Sequence, residues 1–124
     1  MIRRASAVMG LLGSLVVGLT CAAGPARAQG GPGFFWYGDD LLAACTGDGV
    51  AARRSCAGYL MGIVDMIAQL RNDGAAVRAC VPFNIAEPPV LDATVGYLRE
   101  HPELRRRPAS MTVTLALAAR YPCP

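Results

Sequence analysis

The chain has 124 residues, 53% of them hydrophobic, with twelve basic side chains against nine acidic ones. That length supports one small domain and leaves no room for a multi-domain enzyme. Arg3, Arg4 and Arg27 fall in a leader segment, and without them the nine remaining basic residues equal the nine acidic ones. A neutral domain lacks the basic excess that binding to backbone phosphates requires, which excludes nucleic acid as a partner.

Arg3 and Arg4 precede an apolar run from Ala7 to Leu19, and Ala26-Arg27-Ala28 supplies the small residues that a signal peptidase reads. Residues 1–28 therefore read as a secretory signal peptide, with the mature chain starting near Gln29. The apolar core is about a dozen residues, short of the roughly 18 to 20 needed to span a bilayer, so no membrane anchor is expected. Cys21 would carry a lipid only in a lipobox, and Gly18 and Thr20 match one poorly. Residues 29–33, rich in glycine, read as a flexible linker, and residues 34–124 as a single domain.

Export changes the meaning of the four remaining cysteines. Cys45, Cys56, Cys80 and Cys123 are even in number and bound for an oxidising compartment, which predicts two disulfides. Zinc is the rival reading. No C-x-x-C pair is present and the lone His101 has no histidine partner at helical spacing, so neither a metal nor any other cofactor is expected.

In chain order, Asp39 or Asp40 can cap a short first helix carrying Leu41, Leu42 and Cys45, which Gly47-Asp48-Gly49 ends. The second helix has the strongest signal. Cys56, Tyr59, Leu60, Ile63, Val64, Ile67 and Leu70 fall on one apolar stripe, and Asn72-Asp73-Gly74 stops it. Pro82 and Pro88-Pro89 bracket a loop, and two prolines suit the start of a helix, whose first N–H groups lack an internal partner. Leu91, Thr94, Val95 and Leu98 form the inner stripe of this third helix, which ends near His101 because Pro102 disfavours a helical residue before it. Met111 to Leu115 alternates like a strand, yet Pro108 as a first-turn residue and the alanine-rich stretch up to Arg120 favour a fourth helix. The fold class that follows is all-α, a small disulfide-bonded antiparallel bundle of about four helices. In such a bundle Cys45 and Cys56 flank the first turn at one end while Cys80 and Cys123 lie near the other, which predicts those two pairings.

Catalysis is hard to build from these residues. The cysteines have partners, His101 is pinned beside Pro102, and Asp39 and Asp40, as helix neighbours, point about 100° apart. Gly58 and Gly62 sit one turn apart on the second helix, away from its apolar stripe, with Asp65 continuing that line. Two helix glycines together cost about 2 kcal/mol relative to alanine, which predicts close backbone approach there, by internal helix packing or by a dimer seam. Asp65 itself is either solvated surface or a carboxylate that fixes a neighbouring turn. Trp36 and Tyr37, within Phe34 to Tyr37, are either a lid on the core or partner anchors; Arg105 and Arg106, within an arginine triplet, are either a solvated link or a clamp for an acidic partner surface.

Taken together, Leu41-Leu42 with Cys45, Cys56-Ala57-Gly58-Tyr59, Gly62-Ile63-Val64-Asp65, Cys80-Val81-Pro82, Tyr97-Leu98-Arg99, His101-Pro102-Glu103 and Tyr121-Pro122-Cys123 resemble the Tai-type immunity proteins of type VI secretion. The resemblance runs from about Phe34 to Cys123. It implies a periplasmic, disulfide-bonded helical protein, typically a homodimer, that binds a peptidoglycan-cleaving amidase toxin and blocks it. The matching residues build a fold and none of them marks a toxin contact. The competing expectation is a small periplasmic housekeeping or envelope-stress protein with no toxin partner.

Overall fold

Tyr37 has extended backbone and opens the first helix, and the carboxylate of Asp40 reaches back to accept the Tyr37 N–H at 3.0 Å. Asp40 thus serves from the third helical position, not from the cap itself. The computed structural model describes residues 33–124. The expected leader, Cys21 and all but the last residue of the expected linker lie outside the described residues.

Four helices follow one another: α1 (Gly38–Thr46), α2 (Val50–Asn72), α3 (Glu87–Glu100) and α4 (Ala109–Arg120), with a short 3-10 helix (Pro102–Arg106) between the last two. The described residues contain no strand beyond two isolated bridges, Tyr37 with Pro108 and Ala79 with Pro122. All four helices pack against one another, so the fold class is the all-α bundle that the apolar stripes predict. No described helix is long and apolar enough to cross a membrane.

Two stretches add to the sequence reading. Helix α2 begins at Val50, well before the first stripe residue Cys56, because Gly49 is an extended N-cap whose carbonyl accepts the Arg53 N–H at 3.0 Å. The Arg53 guanidinium also donates to the Asp48 carbonyl at 2.8 Å, tying the α1–α2 turn to its own helix. The arginine link takes 3-10 form: Leu104 N–H donates to the His101 carbonyl and Arg107 N–H to that of Leu104. Where a strand competed with a helix, α4 buries Thr112, Val113, Ala116 and Leu117, the spacing of a helix face.

The core is aliphatic. Leu41, Leu60, Leu98 and Leu117, one from each helix, are fully buried, joined by Val90 and Val113. Two polar side chains share that interior. The Thr112 hydroxyl donates to the Ala109 carbonyl at 2.9 Å, whereas the Thr94 hydroxyl on α3 has no partner. A buried hydroxyl without a partner costs about 1 to 3 kcal/mol of desolvation. Thr94→Val, which keeps the shape and removes the hydroxyl, is expected to raise stability by about 1 kcal/mol in urea melts; a loss of stability would place a bonded water at that hydroxyl.

Sulfur closes the bundle as the topology predicts. Cys45 at the end of α1 is bonded to Cys56 in α2, and Cys80 is bonded to Cys123 beyond α4.

Candidate functional site

Between α2 and α3 the chain runs without helix from Asp73 to Ala86 and includes an exposed turn at Pro82-Phe83-Asn84. Asn84 takes a left-handed backbone conformation, φ 58°, which asparagine tolerates better than most residues. Phe83, between Pro82 and Asn84, is 70% exposed. The ring is not loose. The Arg71 guanidinium lies 5.4 Å from its centroid, while an Arg71 Nη1–H donates to the Val81 carbonyl at 3.1 Å. One α2 side chain therefore holds both the base of the turn and the aromatic ring at its tip. Ala79 and Val81 root the same stretch in the core. A hollow of about 240 Å³ separates the turn from α2, lined by Met61, Asp65, Ala68, Phe83 and Ile85.

Asp65 therefore faces this hollow from an exposed position, and its carboxylate has no hydrogen-bond partner among the described residues. The expected tie to a neighbouring turn is made by Arg71 instead. Beside Asp65 the outer face of α2 carries Gly58 and Gly62, both exposed. A Cβ built on either glycine would meet no described atom within 4 Å. Internal helix packing, one of the two expectations for this pair, is thus not what the glycines serve. Each is expected to gain about 1 kcal/mol in the isolated monomer when replaced by alanine, because helix propensity alone changes. Thermal melts of Gly58→Ala and Gly62→Ala check this.

The close-approach glycine is a different one. At Gly38 a Cβ would lie 2.7 Å from the Arg105 Cα and 2.9 Å from its carbonyl oxygen. The first turn of α1 is pressed against the 3-10 helix, with Gly38 N–H donating to the Arg107 carbonyl at 3.0 Å and Ala109 N–H to that of Trp36 at 2.9 Å. Arg105 belongs to this joint: it is half-buried and its Nε–H donates to the Leu98 carbonyl at 2.8 Å. Arg106 is exposed. The two arginines that the sequence pairs as a clamp are therefore set apart, one in the fold and one on its surface.

The aromatic entry segment divides in the same way. Trp36 and Tyr37 are half-buried, and Trp36 stacks between Phe35 and Tyr59 with centroids 5.2 Å from each. Phe34 and Phe35 are exposed at 48% and 72%. Burial raises the Tyr59 pKa above its ordinary value, partly offset by hydrogen bonding to Ser110, so the phenol is uncharged at neutral pH. Trp36 covers the core as a lid would, and neither it nor Tyr37 is the exposed anchor that the alternative requires; the exposed aromatic side chains of this segment are Phe34 and Phe35.

An open groove of about 590 Å³ runs between α3 and α4, with a floor of Ala93, Gly96, Ala116 and Ala119 and charged rims at Asp92, Glu100 and Arg120. Among the described residues no group of three histidine, cysteine or acidic side chains is placed to hold a metal. His101 stacks on Tyr97 at 4.2 Å and faces Glu103 at 3.2 Å.

Sequence reasoning missed Phe83, Arg71 and Gly38. A phenylalanine inside a turn signal, between Pro82 and Asn84, was the one visible cue to the first; the other two depend on which segments meet in space.

No curated protein and no solved structure gives a match to the chain. The family model described as Rap1a immunity proteins matches residues 37–123, a span that takes in all four helices, both disulfides and the Phe83 turn. A match over that much of the chain settles its kinship: it belongs to the Rap1a immunity protein family.

Proposed function

We propose that this chain is a Tai-type immunity protein of type VI secretion, exported to the periplasm through residues 1–28, whose domain from residue 34 to 124 binds a peptidoglycan amidase toxin and occludes its active site. The observation that carries the reading is the Phe83 turn, found in a chain whose family is one of immunity proteins. An exposed ring already held by Arg71 loses little freedom on binding, which is the property of a good interface anchor. An exposed aromatic ring on a turn can enter a concave partner, and the cleft of a hydrolase is concave. Phe34, Phe35 and Arg106 are exposed elsewhere on the domain and offer secondary contacts.

The test uses a purified type VI cell-wall amidase and its peptidoglycan substrate. The mature chain is expected to bind the amidase at one to one with a Kd in the nanomolar range and to abolish cleavage. Binding to unfolded proteins at large, with no inhibition of the amidase, would favour the housekeeping reading.

The Gly58–Gly62 face is assigned to a second copy of the chain. Crossing two α2 helices antiparallel with Gly58 opposite Gly62 brings Arg54 of each copy to within one residue of Asp65 of the other. Both charges are exposed, so the face is complementary to itself. Gly62→Leu is expected to convert dimer to monomer in sedimentation while the fold melts no lower than before. A monomeric wild type would remove this assignment and leave amidase binding untouched.

A further inference from the structure

The two disulfides hold different things. Cys45 and Cys56 are both buried and sit inside the hydrophobic core, joining α1 to α2, which also pack along their lengths. Cys80 and Cys123 are half-buried, stand outside that core cluster and join two stretches without helix, the segment from Asp73 to Ala86 and the tail after α4. Around this second bond the non-covalent ties are few. Cys80 N–H donates to the Tyr121 carbonyl at 2.8 Å within the Ala79–Pro122 bridge, and Arg71 holds Val81. Ala79 and Val81 are the buried side chains of the segment, and every other residue from Asp73 to Ala86 is exposed or half-buried. A segment with so little buried surface belongs to the least stable part of a fold.

We propose that the Cys80–Cys123 bond is an oxidation gate on the Phe83 turn: the helical bundle forms without it, but the turn is held in its binding shape only once the bond is closed. This rests on the reading of Phe83 as the partner contact. Closure is ordinary thiol–disulfide exchange with a protein disulfide oxidant. The Cys80 thiolate attacks one sulfur of the oxidant's disulfide and the other leaves as a thiolate. The Cys123 thiolate then attacks the Cys80 sulfur and releases the oxidant's remaining sulfur. Two electrons and two protons pass from the cysteine pair to the oxidant, which ends as a dithiol. Before export, in a reducing compartment, the bond is open and the turn is not held. The chain thus gains its inhibitory surface where a cell-wall toxin acts, not where the chain is made.

Exposure sets the order in which the bonds open. A small thiol reductant reaches the half-buried Cys80–Cys123 pair before the buried Cys45–Cys56 pair. The experiment is graded reduction of the oxidised mature chain, with alkylation and peptide mapping to identify the singly opened form. Hydrogen exchange and binding to a purified type VI cell-wall amidase are then measured on that form. Amides between residues 75 and 86 are expected to exchange about a hundredfold faster while those in the middle of α1 to α4 change by less than about threefold. Amidase affinity is expected to fall about thirtyfold or more, and Cys80→Ser with Cys123→Ser to reproduce both effects. Unchanged exchange in the segment overturns the gate. So does loss of protection throughout the helices, since the bond would then staple the whole fold. An oxidised chain that fails to bind the amidase refutes the immunity reading instead, and the exchange profile still decides whether the turn is gated.

Discussion

Replacing Gly38 with valine is expected to cost about 3 kcal/mol or more. The overlap is with backbone and not with a side chain that can swing away. A Cβ at Gly38 would lie 2.7 Å from the Arg105 Cα, and the 3-10 helix that carries it is fixed at both ends. Relief requires α1 to move off that helix. Such a movement breaks the bonds from Gly38 to Arg107 and from Ala109 to Trp36, and it drags Leu41, fully buried three residues on, out of the core. Even Gly38→Ala brings most of this strain, since the offending atom is the Cβ itself. For a domain of this size each kcal/mol lowers the melting temperature by roughly 4 to 8 °C, so the valine variant should melt some 12 °C or more below wild type. Gly62→Ala is the control. It adds the same methyl to open space and is expected to move the monomer's melting temperature upward. Equal melting of Gly38→Val and wild type would mean that α1 and the 3-10 helix do not touch as described.

The contrast between these glycines shows what a sequence discloses. Composition, the α2 stripe and the cysteine count were enough for four helices and for both disulfide pairings, because each rests on local periodicity or on the order of elements along the chain. Glycine is another matter. Gly58 and Gly62, one turn apart, draw the eye as a packing motif, while Gly38 looks like a residue that merely precedes two aspartates. Only the meeting of α1 with residues almost seventy positions later in the chain gives Gly38 its constraint. Arg71 was hidden for the same reason: on the sequence it is a last-turn arginine, and in space it reaches Val81 and the Phe83 ring. Arg105 went the other way, since a triplet of arginines reads as surface until the Leu98 carbonyl is seen to accept its Nε–H hydrogen bond.

Phe83→Asp separates binding from folding. The ring is 70% exposed and outside the core cluster, so its loss is expected to change stability by no more than about 0.5 kcal/mol, within the usual range for surface positions. At an interface the effect is larger. Truncation of an anchoring aromatic typically costs 2 kcal/mol or more, and a carboxylate placed in an apolar cleft adds its own desolvation, so affinity for the proposed amidase partner should fall about a hundredfold or more. Arg71→Met provides the second leg. It removes the guanidinium from the ring and the hydrogen bond to Val81 while keeping the apolar stem, leaving Phe83 present but unsupported. A preorganised anchor predicts an intermediate loss, about five- to twentyfold, as the ring and turn must now be ordered on binding. If Phe83→Asp lowers affinity and Arg71→Met does not, the turn adapts to its partner and its shape in the free chain is incidental. If neither does, the contact lies elsewhere, and the exposed Phe34 and Phe35 are the next residues to change.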